Sequence, residues 1–129
     1  MTATPEQNTA QDWLAAISKT VKLRNIHAHM GLVSKSVRVY GIPGVNTITY
    51  IDWRKRRQTE FEQDLLEELS YDFIRIKKIT TKRIHFLAIE TMTARSGNSF
   101  EIYKDIIIEK EYDGIWRVVE EKITAIETK

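Results

Sequence analysis

RIHFLAIETMTAR (Arg83 to Arg95), FEIYKDIIIEKEY (Phe100 to Tyr112) and IWRVVEEKITAI (Ile115 to Ile126) decide how this chain folds. Each is rich in β-branched and aromatic residues, which suit the pleated, half-buried surface of a strand. Between them stand Gly97-Asn98 and Asp113-Gly114, pairs that accept the positive backbone angles of a tight hairpin turn. Thr81-Lys82 marks a further reversal upstream, so Ser70 to Thr128 reads as four long antiparallel strands.

With two-residue turns the register follows, because residues opposite one another share a face. Ser96 then faces Ser99, Tyr112 faces Ile115 and Thr80 faces Arg83. One face collects Ile74, Ile76, Leu87, Ile89, Thr91, Ile102, Ile106, Ile108, Val119, Glu121 and Ile123, and the helices are expected to cover it. The opposite face mixes charges of both signs with Phe86, Tyr103, Ile107, Trp116 and Val118. So large an apolar patch on a monomer predicts a homodimer packed through this outer face.

Upstream, Thr4-Pro5-Glu6-Gln7 is a helix start with a capping-box spacing. Ala10, Trp13, Leu14, Ile17 and Val21 follow at intervals of three and four, which gives one apolar stripe. A second helical piece is expected over Val21 to Val33, with Leu23, Ile26, Met30 and Val33 on one side. Val37 to Tyr40 and Val45 to Ile51 read as short extended pieces around the turn Gly41-Ile42-Pro43-Gly44. Asp52 is placed to cap a third helix running through DWRKRRQTEFEQDLLEEL, with Phe61, Leu65, Leu66 and Leu69 on its buried face.

Helices first and a meander afterwards is the α+β pattern, with the helices on one side of an antiparallel sheet. Strands of about 12 residues reach on the order of 40 Å, and sheets of that length coil. A strongly curved sheet with helices across its mouth encloses a cone-shaped pocket, a common place for a ligand. The 129 residues read as a single domain with no repeat or linker.

Composition narrows the function classes. The sequence has no cysteine, which excludes disulfides, thiolate metal sites and cysteine nucleophiles. A formal charge of +2 is too small for charge alone to imply a nucleic-acid partner. No apolar run approaches the roughly 20 residues of a membrane span. MTATPEQNTA lacks the basic and apolar regions of a secretion signal, so a cytoplasmic location is the expectation. No phosphate loop, nucleophile elbow or zinc spacing is present, and no cofactor is implied.

The helical start, the segment LVSKSVRVYG (Leu32 to Gly41), the third helix and the ending YDGIWRVVEEKI (Tyr112 to Ile123) together resemble the nuclear transport factor 2-like, or SnoaL-like, superfamily. In the ending, Asp113, Gly114, Trp116, Arg117 and Val118 match a recurrent Asp-Gly-x-Trp-Arg-Val strand of that family. The resemblance implies a cone-shaped α+β fold, frequent dimers and a hydrophobic pocket. It does not fix an activity, because the superfamily holds isomerases, dehydratases and hydrolases beside non-catalytic binding domains.

Several residues are candidates for chemistry. The register puts Glu121 on the apolar face beside Ile106. A carboxyl group buried without a partner favours its neutral form and can serve as an acid or base; beside a basic residue it forms a structural ion pair instead. Arg54 and Gln58 share a helical stripe with Phe61, Leu65 and Leu69, so they are expected at the pocket mouth, with Tyr50 and Trp53 as aromatic walls. The competing reading makes WRKRR a solvated basic turn. His27 and His29 point about 200° apart on a helix, poor metal geometry, and His27 is expected at the cavity edge. The basic run Arg54 to Arg57 spreads around the helix axis and is followed by acidic residues, which argues against nucleic acid.

The leading expectation is a small-molecule-binding domain lined by Tyr50, Trp53, Arg54, Gln58, Thr91 and Glu121. An alternative is an acid-base enzyme of the isomerase, dehydratase or hydrolase type in the same pocket, with Glu121 as base and Arg54 or His27 stabilising negative charge. A further alternative is a dimeric interaction or scaffold module.

Overall fold

The computed structural model describes residues 3–129. Helix α1 spans Pro5–Lys22 and starts where the capping signal puts it. Thr4 Oγ1 accepts the Gln7 N–H at 3.1 Å, and Gln7 Oε1 accepts the Thr4 N–H at 2.9 Å. Two donors that a helix start leaves unpaired are thereby satisfied. The stripe of Ala10, Trp13, Leu14, Ile17 and Val21 is buried as its spacing demands.

The next helix is shorter than its pattern. Arg24 takes a φ of 51° and breaks the chain's helical path, which leaves Leu23 exposed rather than in the stripe. Asn25 then caps α2, Ile26–Met30, by accepting the Ala28 N–H at 3.0 Å. Strand β1 (Val33–Tyr40) follows, then α3 (Tyr50–Glu62), β2 (Leu66–Thr80), β3 (Arg83–Ala94), β4 (Ser99–Lys110) and β5 (Trp116–Thr128). Val45 to Ile51 is not a strand: Ile48 alone bridges Val39, and the helix begins at Tyr50. Asp52 acts from inside α3, where its Oδ2 accepts the Thr49 N–H at 3.1 Å.

Helix α3 ends at Glu62, seven residues before Leu69, the end expected from the sequence, because Asp64 turns with a φ of 53°. Leu66 and Leu69 are buried, but as strand residues, while Leu65 is half exposed. A bulge between Leu66 and Glu68 puts residues three apart on one face. That spacing imitates a helix in the sequence.

The architecture is α+β, with helices on one face of a curved five-stranded sheet ordered β1-β5-β4-β3-β2. β1 runs parallel to β5, and the other neighbours are antiparallel. Bulges interrupt the β2–β3 and β4–β5 ladders. Each adds bend and twist to the sheet. Gly41, with a φ of +95°, ends β1 against β5, where a Cβ would lie 2.3 Å from the Ile123 carbonyl oxygen. No helix among the described residues is long and apolar enough to cross a membrane.

Thr80 pairs with Arg83 as the first turn requires. The other two hairpins close differently. The Ala94 N–H donates to the Asn98 carbonyl at 2.8 Å and the Gly97 N–H to the Ala94 carbonyl at 2.9 Å, so Arg95, Ser96 and Gly97 form the loop. Gly97, at a φ of 99°, takes the left-handed position that completes a three-residue turn. Leu87 therefore faces Asp105 instead of Ile108, and Ile84 faces Ile108. An odd slip turns a strand over.

Leu87, Ile89 and Thr91 consequently lie on the outer face, and Ile84, Phe86, Ala88 and Glu90 are buried beneath the helices. The β4–β5 loop is also longer, with the Glu111 N–H bonded to the Ile115 carbonyl at 3.0 Å, which pairs Ile108 with Val118 in place of Val119. A bulge between Ile107 and Ile108 restores the pairing of Ile106 with Glu121. Phe86 and Val118, expected at an outer dimer face, are thus fully buried, and Trp116 packs against the same core. Tyr103 and Ile107 stay on the outer face. Phe73 replaces Ile74 on the inner side, its ring 6.0 Å from that of Phe86, while Ile74 is exposed.

Candidate functional site

Between α3 and the inner face of the sheet lies a cavity of about 540 Å³. Val39, Ile48, Met92, Ile102, Ile123 and Ile126 supply apolar walls, and Trp53 reaches in from α3. The exposed side chains of Lys55 and Arg56 stand at the rim.

Alternation along β4 sends Lys104 inward between Ile102 and Ile106, into the charged floor of the cavity. Its Nζ donates to Glu90 Oε1 and to Glu121 Oε1, each at 2.9 Å. Tyr71 donates its hydroxyl to Glu90 Oε1 at 2.6 Å. Lys104, Glu90 and Glu121 are 7%, 1% and 3% exposed along their side chains, so this is a buried ion triad. Burial works against the Lys104 ammonium, but the charges of Glu121 and then Glu90 overcome it and hold its pKa above the usual lysine value. Burial likewise opposes the Glu90 carboxylate, and Lys104 followed by Arg57 outweighs it, so its pKa falls. The Tyr71 phenol is pushed well up, by burial first and then by the charges of Glu90 and Glu121.

Beside the triad, α3 and α2 meet through His29. Trp53 Nε1 donates to His29 Nε2 at 3.0 Å, and Arg57 Nε donates to the same nitrogen at 3.3 Å. With Nε2 accepting, the ring proton is assigned to Nδ1, which donates to Thr20 Oγ1 at 2.9 Å. Thr20 in turn donates to the Ile17 carbonyl at 2.8 Å. Burial above all, then the charges of Arg57 and Lys104, lower the His29 pKa to about 3. Arg57 also pairs with Glu60 at 2.7 Å.

Of the residues expected at the site, Trp53 and Glu121 line the cavity. Glu121 is buried and ion-paired there, its Oε1 accepting from Lys104 Nζ at 2.9 Å. Tyr50 is half buried and packs against the core. Arg54 and Gln58 are exposed, and Gln58 bonds Glu62 at 3.1 Å. Thr91 lies on the outer face, and His27 is exposed while His29 is fully buried.

Leu65 and Leu69, which extend the expected helical stripe, belong to the turn and to β2. The stripe that faces the cavity is Trp53, Arg57 and Glu60, spaced by four and three. Glu90, Lys104, Arg57, His29 and Tyr71 were not foreseen. Lys104 left a signal, since it interrupts the inward-facing series Ile102, Ile106, Ile108.

No family model matches the sequence, and no curated protein does. Solved structures do resemble it. A ketosteroid isomerase-like protein from Erwinia carotovora atroseptica is 11% identical with a TM-score of 0.69, over 98% of this chain and 98% of that one. A candidate scytalone dehydratase from Novosphingobium aromaticivorans is 10% identical with a TM-score of 0.76, over 96% of this chain and 87% of that one. A domain of unknown function with a cystatin-like fold from Nostoc punctiforme is 9% identical with a TM-score of 0.73, over 95% of this chain and 78% of that one. At these identities the likeness is one of fold, and the fold is the nuclear transport factor 2-like, SnoaL-like one.

Proposed function

We propose that this chain binds a small, largely apolar organic molecule in a cone-shaped pocket between α3 and the sheet. The observation that carries the reading is the cavity of about 540 Å³ with apolar walls and a few convergent polar groups at its floor. Ligand pockets commonly have this size and make-up. Two structures of the same fold carry the names of enzymes of small organic molecules, a ketosteroid isomerase-like protein and a candidate scytalone dehydratase, which supports a small-molecule occupant.

Fixed protonation states favour binding over acid-base turnover. Both nitrogens of His29 are hydrogen-bonded and its pKa lies near 3, while Lys104 is held charged between two carboxylates. Neither group exchanges a proton readily near neutral pH. The test is saturable binding of the apolar dye anilinonaphthalene sulfonate to the folded protein and to an Ile102→Trp variant that fills the cavity. Binding to the wild type alone supports the pocket; equal binding to both overturns it.

The homodimer remains a proposal, on a revised surface. Turning β3 over sets Ile89 against Tyr103 and His85 against Ile107 on the outer face, with Leu87 beside them. That partly buried, largely apolar strip suits a second copy. Sedimentation equilibrium should give twice the chain mass of 15.1 kDa. A single-chain mass at micromolar concentration, or a Leu87→Glu variant that stays dimeric, counts against this surface.

A further inference from the structure

Among the described residues, Glu90, which lines the cavity, has a buried carboxylate oxygen without a hydrogen-bond partner. Glu90 Oε1 accepts from both Tyr71 and Lys104, whereas Glu90 Oε2 is buried and accepts no hydrogen bond. An ionised carboxylate is an acceptor only, so whatever satisfies this oxygen is a donor. Leaving it unpaired costs more than leaving an exposed group unpaired, because a buried acceptor has given up its hydration.

Charge selects among donors. Around the floor the carboxylates of Glu60, Glu90 and Glu121 outnumber the cations Lys104 and Arg57. The floor is left one negative charge in excess, which favours a cation over a hydroxyl. Trp53 lines the same cavity, and indole is the best aromatic partner for an ammonium group. The rim has the opposite sign: Lys55 and Arg56 stand there, and they repel a second cation at the ligand's other end.

We infer that the cavity selects an apolar monoamine, whose ammonium group donates to Glu90 Oε2 at the floor while its hydrocarbon body fills the walls. This rests on the small-molecule reading above and adds the chemical class of the ligand. It excludes diamines of similar length, which would place a charge beside Lys55 and Arg56.

Calorimetric titration with phenethylamine, phenethyl alcohol and para-xylylenediamine at pH about 7.5, where amines are protonated, tests it. Phenethylamine is expected to bind roughly tenfold or more tighter than the alcohol, as a charge-assisted hydrogen bond implies. The diamine should bind more weakly than the monoamine. Glu90→Gln should abolish the preference for amine over alcohol. Because that buried variant can fail to fold, the exposed double variant Lys55→Glu, Arg56→Glu gives a second readout: the diamine should gain affinity in it. Equal binding of amine and alcohol, as when a water satisfies Oε2, or no gain by the diamine, overturns the monoamine assignment. Dye binding in the cavity then leaves the small-molecule reading standing. If neither dye nor amine binds, both readings fall.

Discussion

Trp53 Nε1 donates to His29 Nε2 at 3.0 Å, and this bond fixes both the tautomer of the imidazole and the seat of α3 over α2. A histidine held neutral in the fold has a consequence for stability. Its pKa falls from 6.5 to about 3 on folding, so between those values the unfolded chain binds the extra proton. Stability conferred by the neutral ring is complete above about pH 6.5 and is lost as pH falls. Between pH 7.5 and 5 the loss from His29 is about 2 kcal/mol. His85, also lowered by burial, adds to it in the same sense. Below about pH 5, Glu90 and other carboxylates with depressed values add losses of the same sign. Urea unfolding over this range checks it: a His29→Gln variant should show a flatter profile than wild type, and parallel profiles would sink the assignment.

Among the described residues, Lys104 is the one ammonium bonded to both Glu90 and Glu121. Lys104→Met leaves two buried carboxylates facing one another and should cost about 3 to 5 kcal/mol at neutral pH. Adding Glu121→Gln removes one of those charges. The double variant is therefore expected to be more stable than Lys104→Met alone, whereas strictly additive losses in denaturant unfolding would show that the three groups do not act as a unit.

Gly41 and Gly44 both have positive φ, at +95° and +75°, but only Gly41 meets a neighbour. Alanine at Gly44 should cost about 1 to 2 kcal/mol for the left-handed backbone alone. Alanine at Gly41 also collides with the Ile123 carbonyl and should cost about 3 to 5 kcal/mol, because β1 must shift away from β5. Similar melting temperatures for the two variants would contradict this close approach.

Arg117, within the Asp-Gly-x-Trp-Arg-Val ending, has a structural task. Its Nη1 and Nη2 bond Asp113 at 2.8 Å each, and its Nε bonds the Gly31 carbonyl at 2.9 Å. Arg117→Lys keeps the charge and loses the fork. The pair with Asp113 is solvent-screened, so most of the expected loss, about 1 kcal/mol, comes from the bond to the α2 end. Thermal unfolding should register it, while dye binding in the distant cavity should not change.

Much of the fold was legible because it depends on local chemistry. The Thr4 to Gln7 capping box, the α1 stripe and the hairpin at Thr81-Lys82 form where the residues alone place them. Glu121 was also placed inward, although by two departures that cancel: the longer turn shifts the β4–β5 register by one, and the bulge at Ile107 shifts it back. The site was less legible. Leu65 and Leu69 imitate a helix and so point to Arg54 and Gln58, and a two-residue turn at Gly97-Asn98 would turn Glu90 outward, whereas Gly97 closes a three-residue loop that turns it inward.

By itself, the sequence determined the strands β3, β4 and β5, where α1 begins and that two of their hairpins reverse at glycine-bearing turns, since these follow from propensity, capping and backbone sterics within a few residues. Only the tertiary structure decided which face of β3 looks toward the helices, and with it the meeting of Glu90, Lys104 and Glu121. The reason is the two-residue period of a strand: one extra residue in a turn or a bulge inverts every side chain beyond it, and whether it is present depends on packing across the whole sheet.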